Sequence, residues 1–213
     1  LVAGGDLVMP AVRRAGVRLL PVDSEHAAIA QCLAAVASPR DVAEIVLTAS
    51  GGPFRTWSRE RMATATVEQA LDHPTWAMGS KVTVDSASLM NKGLELVEAH
   101  HLFGAEAGRL SILVHPQSIV HGLVRLHDGS VLAQLAAPDM RTPIQQAVMG
   151  DASIPGAGTR LDWSRLAALE FEPVDADRFP APDLALAAIE RGGTAGAILN
   201  AANEVAVEAF LAG

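Results

Sequence analysis

The sequence predicts an α/β or α+β fold: a mixed sheet with flanking helices, then a connecting segment, then the start of a helical unit. Three observations carry this reading. Short apolar runs bounded by Gly, Pro, Asp and Ser alternate with longer alanine-rich stretches. Asp128-Gly129 separates two apolar runs in the manner of a hairpin turn. After residue 182 the chain becomes two alanine-rich helical patterns split by Gly192-Gly193. With 213 residues, 50% of them hydrophobic, there is enough apolar material for a substantial core.

Taken in order, residues 2–15 read as a helix closed by Gly16, and residues 17–22 as a strand running into Asp23-Ser24-Glu25. Residues 26–36 are helical by their alanine-rich apolar pattern. Residues 44–49 form a buried strand, and Ser50-Gly51-Gly52-Pro53 the tight loop after it. The β-branched residues in 81–84 predict another strand, feeding a helix over 91–103. Leu110 opens a further strand pattern that reaches His115-Pro116-Gln117-Ser118, and residues 119–126 and 130–136 are the two arms of the hairpin. From 150 to 182 the texture of Gly, Pro, Asp and Thr predicts an irregular connection. Helices then cover 183–191 and 195–212.

Acidic residues outnumber basic ones, 24 to 16, and the formal net charge of −8 argues against a nucleic-acid partner. The single cysteine, Cys32, sits in an apolar run and reads as a small buried hydrophobe. No apolar stretch approaches the roughly 20 residues needed to cross a bilayer, so the expected setting is the cytoplasm, without a membrane partner.

Several residue groups could carry chemistry. On an extended strand Asp23 and Glu25 would share a face, their Cα atoms about 6.6 Å apart, and could grip one hard cation; a solvated strand end would look the same. In the next helical stretch Asn91, Lys92, Glu95 and Glu98 gather on one face, either a solvated stripe or the wall of a site needing an anion donor beside a metal ligand. Gly93 within that helix costs roughly 1 kcal/mol relative to alanine, so close approach to its backbone is expected. The N–H groups of the Ser50-Gly51-Gly52 loop would suit a phosphate, as they would an ordinary turn. Trp76 and Met78, between Pro74 and Gly79, could form a lid or a core anchor. His115 and His121 flank a polar pair at a strand end and read as structural hydrogen-bonding residues or as site groups. Neither paired-histidine nor multi-cysteine spacing occurs, so zinc is disfavoured and the carboxylates point to Mg²⁺ or Mn²⁺. No glycine-rich dinucleotide fingerprint or P-loop is present.

Six strings occur in one order: Leu-Leu-Pro-Val-Asp-Ser-Glu-His at 19–26, Ala-Ser-Gly-Gly-Pro-Phe-Arg at 49–55, His-Pro-Thr-Trp-Ala-Met-Gly at 73–79, Val-Asp-Ser-Ala-Ser-Leu-Met-Asn-Lys-Gly-Leu-Glu at 84–95, Val-His-Pro-Gln-Ser-Ile-Val-His at 114–121 and Pro-Asp-Met-Arg-Thr-Pro at 138–143. Together they resemble the deoxyxylulose phosphate reductoisomerase family, over essentially the whole chain. The resemblance implies that Asp23, Glu25 and Glu95 bind a divalent cation (Mg²⁺, Mn²⁺ or Co²⁺). It implies that Ser24 contacts substrate hydroxyls, and that Ser50, Ser86, Asn91 and Lys92 hold the phosphate with help from His73 and His121. Trp76 and Met78 would close over substrate and nicotinamide, with Gly79 and Met140 on the NADPH side. Glu25, Lys92, Glu95 and His73 would be the catalytic groups. The implied reaction rearranges 1-deoxy-D-xylulose 5-phosphate by retro-aldol cleavage and re-aldolisation. Reduction by NADPH then gives 2-C-methyl-D-erythritol 4-phosphate, an isoprenoid precursor of the non-mevalonate route.

The same resemblance divides the chain into a catalytic metal- and substrate-binding domain at 1–149, a connection at 150–182 and the start of a C-terminal helical domain at 183–213. Residues 1–16 would be the tail of a nucleotide-binding domain that family members carry ahead of this region. The expectation is therefore that the 213-residue chain alone does not oxidise NADPH, and that it pairs as a homodimer. Without the resemblance, cation, phosphate and polyol chemistry would equally fit a metal-dependent phosphosugar aldolase or isomerase, or a non-catalytic phosphate binder.

Overall fold

In the computed structural model, residues 1–150, 155–156 and 158–213 are described. Their centre is β1 (Val42–Ala49), whose residues 45–49 are all buried, as expected of a strand covered on both faces. β2 (Leu110–Val114) runs parallel to it, with Ile45 opposite Leu110 and Ala49 opposite Val114. β3 (Val120–Leu126) pairs antiparallel on the other side, and β4 (Val131–Leu135) antiparallel to β3 across the Asp128-Gly129 turn. A two-residue β5 (Glu172–Pro173) joins β2 antiparallel, so the order is β4-β3-β1-β2-β5. The mixed sheet with flanking helices is the architecture expected from the sequence.

The helices are α1 (Gly5–Ala15), α2 (Ser24–Ala34), α3 (Arg59–Met62), α4 (Val67–Leu71), α5 (Ser80–Ala87), α6 (Met90–Phe103), α7 (Arg141–Met149), α8 (Ala181–Arg191) and α9 (Ala195–Ala212). Their ends follow local chemistry. Gly16 closes α1 and Gly104 closes α6 at φ near +65°, where glycine has no side chain to clash. Thr66 and Gln69 form a reciprocal capping box on α4. One core joins α2, β1, α6 and β3 through Ile29, Leu47, Leu96 and Val124, each 1% exposed or less. Each such side chain contributes about 1.5–3 kcal/mol by leaving water. Cys32 belongs to this cluster, as a small hydrophobe should.

Two expected strands are not strands. Among the described residues no strand pairs with residues 17–22, and Leu19, Leu20 and Val22 remain about 40% exposed; without a strand ladder to join, the run does not become a strand. Residues 81–84 lie within α5. There Thr83 Oγ1 donates to the Gly79 carbonyl and Lys81 pairs with Asp85 one turn on, at 2.7 Å. The β-branched Val82, Thr83 and Val84 cost a helix less than about 0.7 kcal/mol each, which such contacts outweigh. Close approach to Gly93 is found, but it is made by α8: a Cβ there would lie 3.1 Å from the Ala181 carbonyl oxygen and 3.3 Å from the Ala185 methyl. Gly93 thus serves helix packing and not a ligand. The expected irregular connection includes residues 151–154 and 157, which lie outside the described residues. In its described part there is a 3₁₀ turn at Trp163–Arg165 and the short β5. α7, α3 and α4 were not anticipated.

Candidate metal and anion site

Asp23 stands at the N-cap position of α2 and Glu25 in its first turn. The two acids therefore converge through a helix start rather than through strand alternation, which corrects the geometry expected from sequence. Glu95 comes from the middle of α6, beside the core residue Leu96. α2 packs on β1 and β3 and α6 on β1 and β2, and their shared core, with Ile29 and Leu96, brings the acids together. Carboxylate oxygens of Asp23, Glu25 and Glu95 lie within 4.8 Å of one another.

Lys92 Nζ sits among them, donating to Glu25 Oε1 at 2.6 Å and to the two Glu95 oxygens at 2.8 and 2.9 Å. Burial disfavours its charge, but Glu25, Glu95 and Asp23 outweigh that and raise its pKa above the ordinary ammonium value. At Glu95 the balance goes the other way. Burial lifts its pKa well above the usual carboxylate range, the attraction of Lys92 notwithstanding, and the like charges of Asp23 and Glu25 lift it further. Burial also opposes charge on Asp23, yet its hydrogen bond to His26 and the charge of Lys92 hold its pKa low. Three acids share one lysine, and an all-oxygen set with surplus negative charge fits a hard divalent cation better than zinc.

The second part is a group of hydroxyls around His73. Its Nε2 lies 3.1 Å from Ser50 Oγ and 3.1 Å from Ser86 Oγ. Its Nδ1 accepts from the backbone N–H groups of Thr75 and Trp76, which fixes the neutral tautomer with the proton on Nε2. Burial, then Lys92, lowers its pKa and keeps it neutral. Gly52 lets the loop close on α5: a Cβ there would lie 2.4 Å from the Ser86 carbonyl oxygen, and its φ is +65°. Two serine hydroxyls and an imidazole N–H thus face one space, the donor set an oxyanion needs.

Both parts line one cavity of about 280 Å³, together with Trp76, Met78 and Met140. Asp23, Ser24, Glu25, Ser50, His73, Ser86, Asn91, Lys92 and Glu95 are all on its wall. Asn91 and Lys92 point to the acids, Asn91 Nδ2 donating to Glu95 Oε1. Gly79 is not on the wall; it stands at the N-cap position of α5. His121 lies in a small adjoining cleft that shares Ser24, with Nε2 3.3 Å from the Ala136 carbonyl. Glu98, expected on the same face as Asn91 and Glu95, lines an adjoining cleft with them and Asp23, and its carboxylate, His26 and Asp23 offer atoms within 4.8 Å of one another. His115 is structural: it stacks on Phe171, and Nδ1 hydrogen-bonds the Glu170 carbonyl. His26 was not singled out from sequence. It is 1% exposed, its Nε2 donates to the Glu95 carbonyl, and its Nδ1 lies 3.7 Å from Asp23. Its position three residues after Asp23 was the available signal.

Two family models match the chain, one described as the 1-deoxy-D-xylulose 5-phosphate reductoisomerase C-terminal domain over residues 19–103, the other as the DXP reductoisomerase C-terminal domain over residues 135–213. The 1-deoxy-D-xylulose 5-phosphate reductoisomerase of Rhodospirillum centenum is 58% identical over 99% of this chain and 52% of its own length. That of Desulfitobacterium hafniense is 56% identical over 100% of this chain and 55% of its own. Among solved structures, the enzyme from Zymomonas mobilis in complex with NADPH superposes with a TM-score of 0.91 at 50% identity, covering 99% of this chain and 54% of that one. A DOX-P reductoisomerase in complex with NADPH, fosmidomycin and magnesium gives 0.94 at 45% identity, covering 100% and 54%. The chain spans about half the length of the curated relatives it matches. With two family models covering most of its residues and relatives above 50% identity along its whole length, the chain belongs to the 1-deoxy-D-xylulose 5-phosphate reductoisomerase family.

Proposed function

We propose that this chain is the metal- and substrate-binding part of an enzyme that converts 1-deoxy-D-xylulose 5-phosphate to 2-C-methyl-D-erythritol 4-phosphate with NADPH. The observation that carries the reading is the meeting, in one cavity, of three carboxylates within 4.8 Å with a serine–histidine–serine donor group. Asp23, Glu25 and Glu95 would hold Mg²⁺, Mn²⁺ or Co²⁺. Such an ion supplies Lewis-acid charge to adjacent substrate oxygens. Ser50, Ser86 and the Nε2–H of His73 bind the phosphate and thereby fix the sugar relative to the acids, turning remote binding energy into positioning. Lys92 balances the charge of the acids and lends positive charge toward His73, and Asn91 donates a hydrogen bond to Glu95. Ser24 Oγ, 2.6 Å from Glu25 Oε2, is placed to reach a sugar hydroxyl. Trp76, Met78 and Met140 give the cavity an apolar wall against which a nicotinamide ring fits, and they exclude water from a reactive aldehyde. NADPH would supply the hydride.

The division into a catalytic domain at 1–149, a connection at 150–182 and a helical unit from 183 belongs to the same proposal, as does pairing as a homodimer. Calorimetric titration of the chain with 1-deoxy-D-xylulose 5-phosphate, with and without Mn²⁺, tests the reading. Binding is expected only with the ion. Glu95→Gln should weaken Mn²⁺ by at least about 100-fold, since outer-shell partners alone cost about 10–100-fold. Metal-independent binding would favour a simple phosphate binder, and no binding at all would sink the assignment.

A further inference from the structure

Asp85 is a buried acid to which the proposed chemistry gives no task. It lies on α5, 1% exposed, and each of its oxygens has one partner. Oδ1 accepts from Asn203 Nδ2 at 2.8 Å, and Oδ2 lies 2.7 Å from Lys81 Nζ. Asn203 arrives from α9, 118 residues further along the chain, and is itself buried. It shares one stripe of that helix with Val207, which is buried, and Phe210, which packs on the cluster of Leu89 and Phe179. The spacings of four and three residues keep all three on the same face. α9 is therefore seated on the α5 region both by apolar packing and by a charged hydrogen bond.

Ser86 follows Asp85 directly. Adjacent helical residues project about 100° apart, so Asp85 turns to α9 while the Ser86 hydroxyl meets His73 in the cavity. From the other side, Gly52 packs against the Ser86 carbonyl so closely that a Cβ would lie 2.4 Å from it. The remaining freedom of Ser86 is rotation or sliding of α5, and that is what the Asp85–Asn203 bond opposes.

We infer that Asn203 is a positioning residue for the anion pocket. By holding Asp85 it fixes α5, and with it the Ser86 hydroxyl, so α9 helps to set affinity for a phosphorylated ligand. This rests on the phosphosugar reading above. Without the Asn203 amide, Asp85 Oδ1 is orphaned in the interior. It regains a partner only if α5 shifts toward water, and that shift carries Ser86 away from His73.

The test is the 213-residue chain carrying Asn203→Leu, titrated with Mn²⁺ alone and then, at saturating Mn²⁺, with 1-deoxy-D-xylulose 5-phosphate. Affinity for the phosphosugar should fall about tenfold, the scale of one lost hydrogen bond to a buried charge. Mn²⁺ affinity should stay within about twofold, a split that general loosening of the fold would not produce. The exchanged pair, Asp85→Asn with Asn203→Asp, re-forms the bond with donor and acceptor reversed and should recover most of the loss. If leucine prevents folding, Asn203→Ser takes its place. Equal weakening of ion and phosphosugar, or no weakening of either, overturns the inference. Failure of the unsubstituted chain to bind the phosphosugar with Mn²⁺ overturns the functional reading and this inference with it.

Discussion

Lys92 and His73 face the same cavity and burial opposes charge on both, yet their neighbours leave one charged and the other neutral. Lys92 has three carboxylates to offset its burial. His73 has none among its hydrogen-bond partners, takes two backbone N–H groups on Nδ1, and feels the Lys92 ammonium. Its pKa is lowered from 6.5. The unfolded chain therefore binds this proton more readily, and the His73 contribution to stability is lost as pH falls below the free-histidine value. An NMR titration of the His73 ring should give a midpoint below 6.5; a midpoint at or above it would mean that the imidazolium is accommodated and the assigned tautomer is wrong. At this scale much was legible. Asp23, Glu25, Glu95, Ser50, Ser86 and His73 were all picked out by residue type and motif. That Lys92 spends its donors on Glu25 and Glu95 was not, because its partner Glu25 is 67 residues away.

The placement of Glu25 depends on how closely α2 lies on β3, and Gly122 sets that distance. A Cβ at Gly122 would lie 2.9 Å from Ile29 Cγ1 and 3.2 Å from the Glu25 carbonyl oxygen. Ile29 is fully buried and cannot step aside. Gly122→Val should therefore push the first turn of α2 off the strand, costing about 1–3 kcal/mol of stability and weakening Mn²⁺ binding together with it. Urea denaturation and Mn²⁺ titration of the same variant check both, and unchanged ion affinity would mean that α2 is not held by this contact. Elements with strong local signals were read well: β1, the β3–β4 hairpin, α6 and α9 lie where the pattern puts them, within a few residues. α5 was misread because Val82, Thr83 and Val84 favour a strand only if a neighbouring strand is there to pair with, and none is among the described residues. Residues 17–22 failed for the same reason.

For the whole molecule, the core that carries the sheet is also the frame of the site: α2, β1, α6 and β3 meet at Ile29, Leu47, Leu96 and Val124. Cys32 lies in this core, 6% exposed, and burial pushes its thiol pKa up. Its modification by an aromatic disulfide reagent should be slow in the native state and accelerate in step with loss of ellipticity in urea. Rapid labelling without denaturant would show that α2 opens independently of the core, and would undercut the rigidity assumed for Asp23 and Glu25. By itself the sequence determined the fold class, the central strands, the helix end marked by Gly16, and the residue types that could bind a cation and an anion. All of these are written in windows of a few residues, as periodicity, caps and motifs. Only the tertiary structure decided that Asp23 and Glu25 meet Glu95 through a helix start, that α5 is a helix, that Gly93 serves α8, and that Asn203 reaches Asp85. Each of these depends on which buried groups find partners across the chain, and local sequence does not encode those distances.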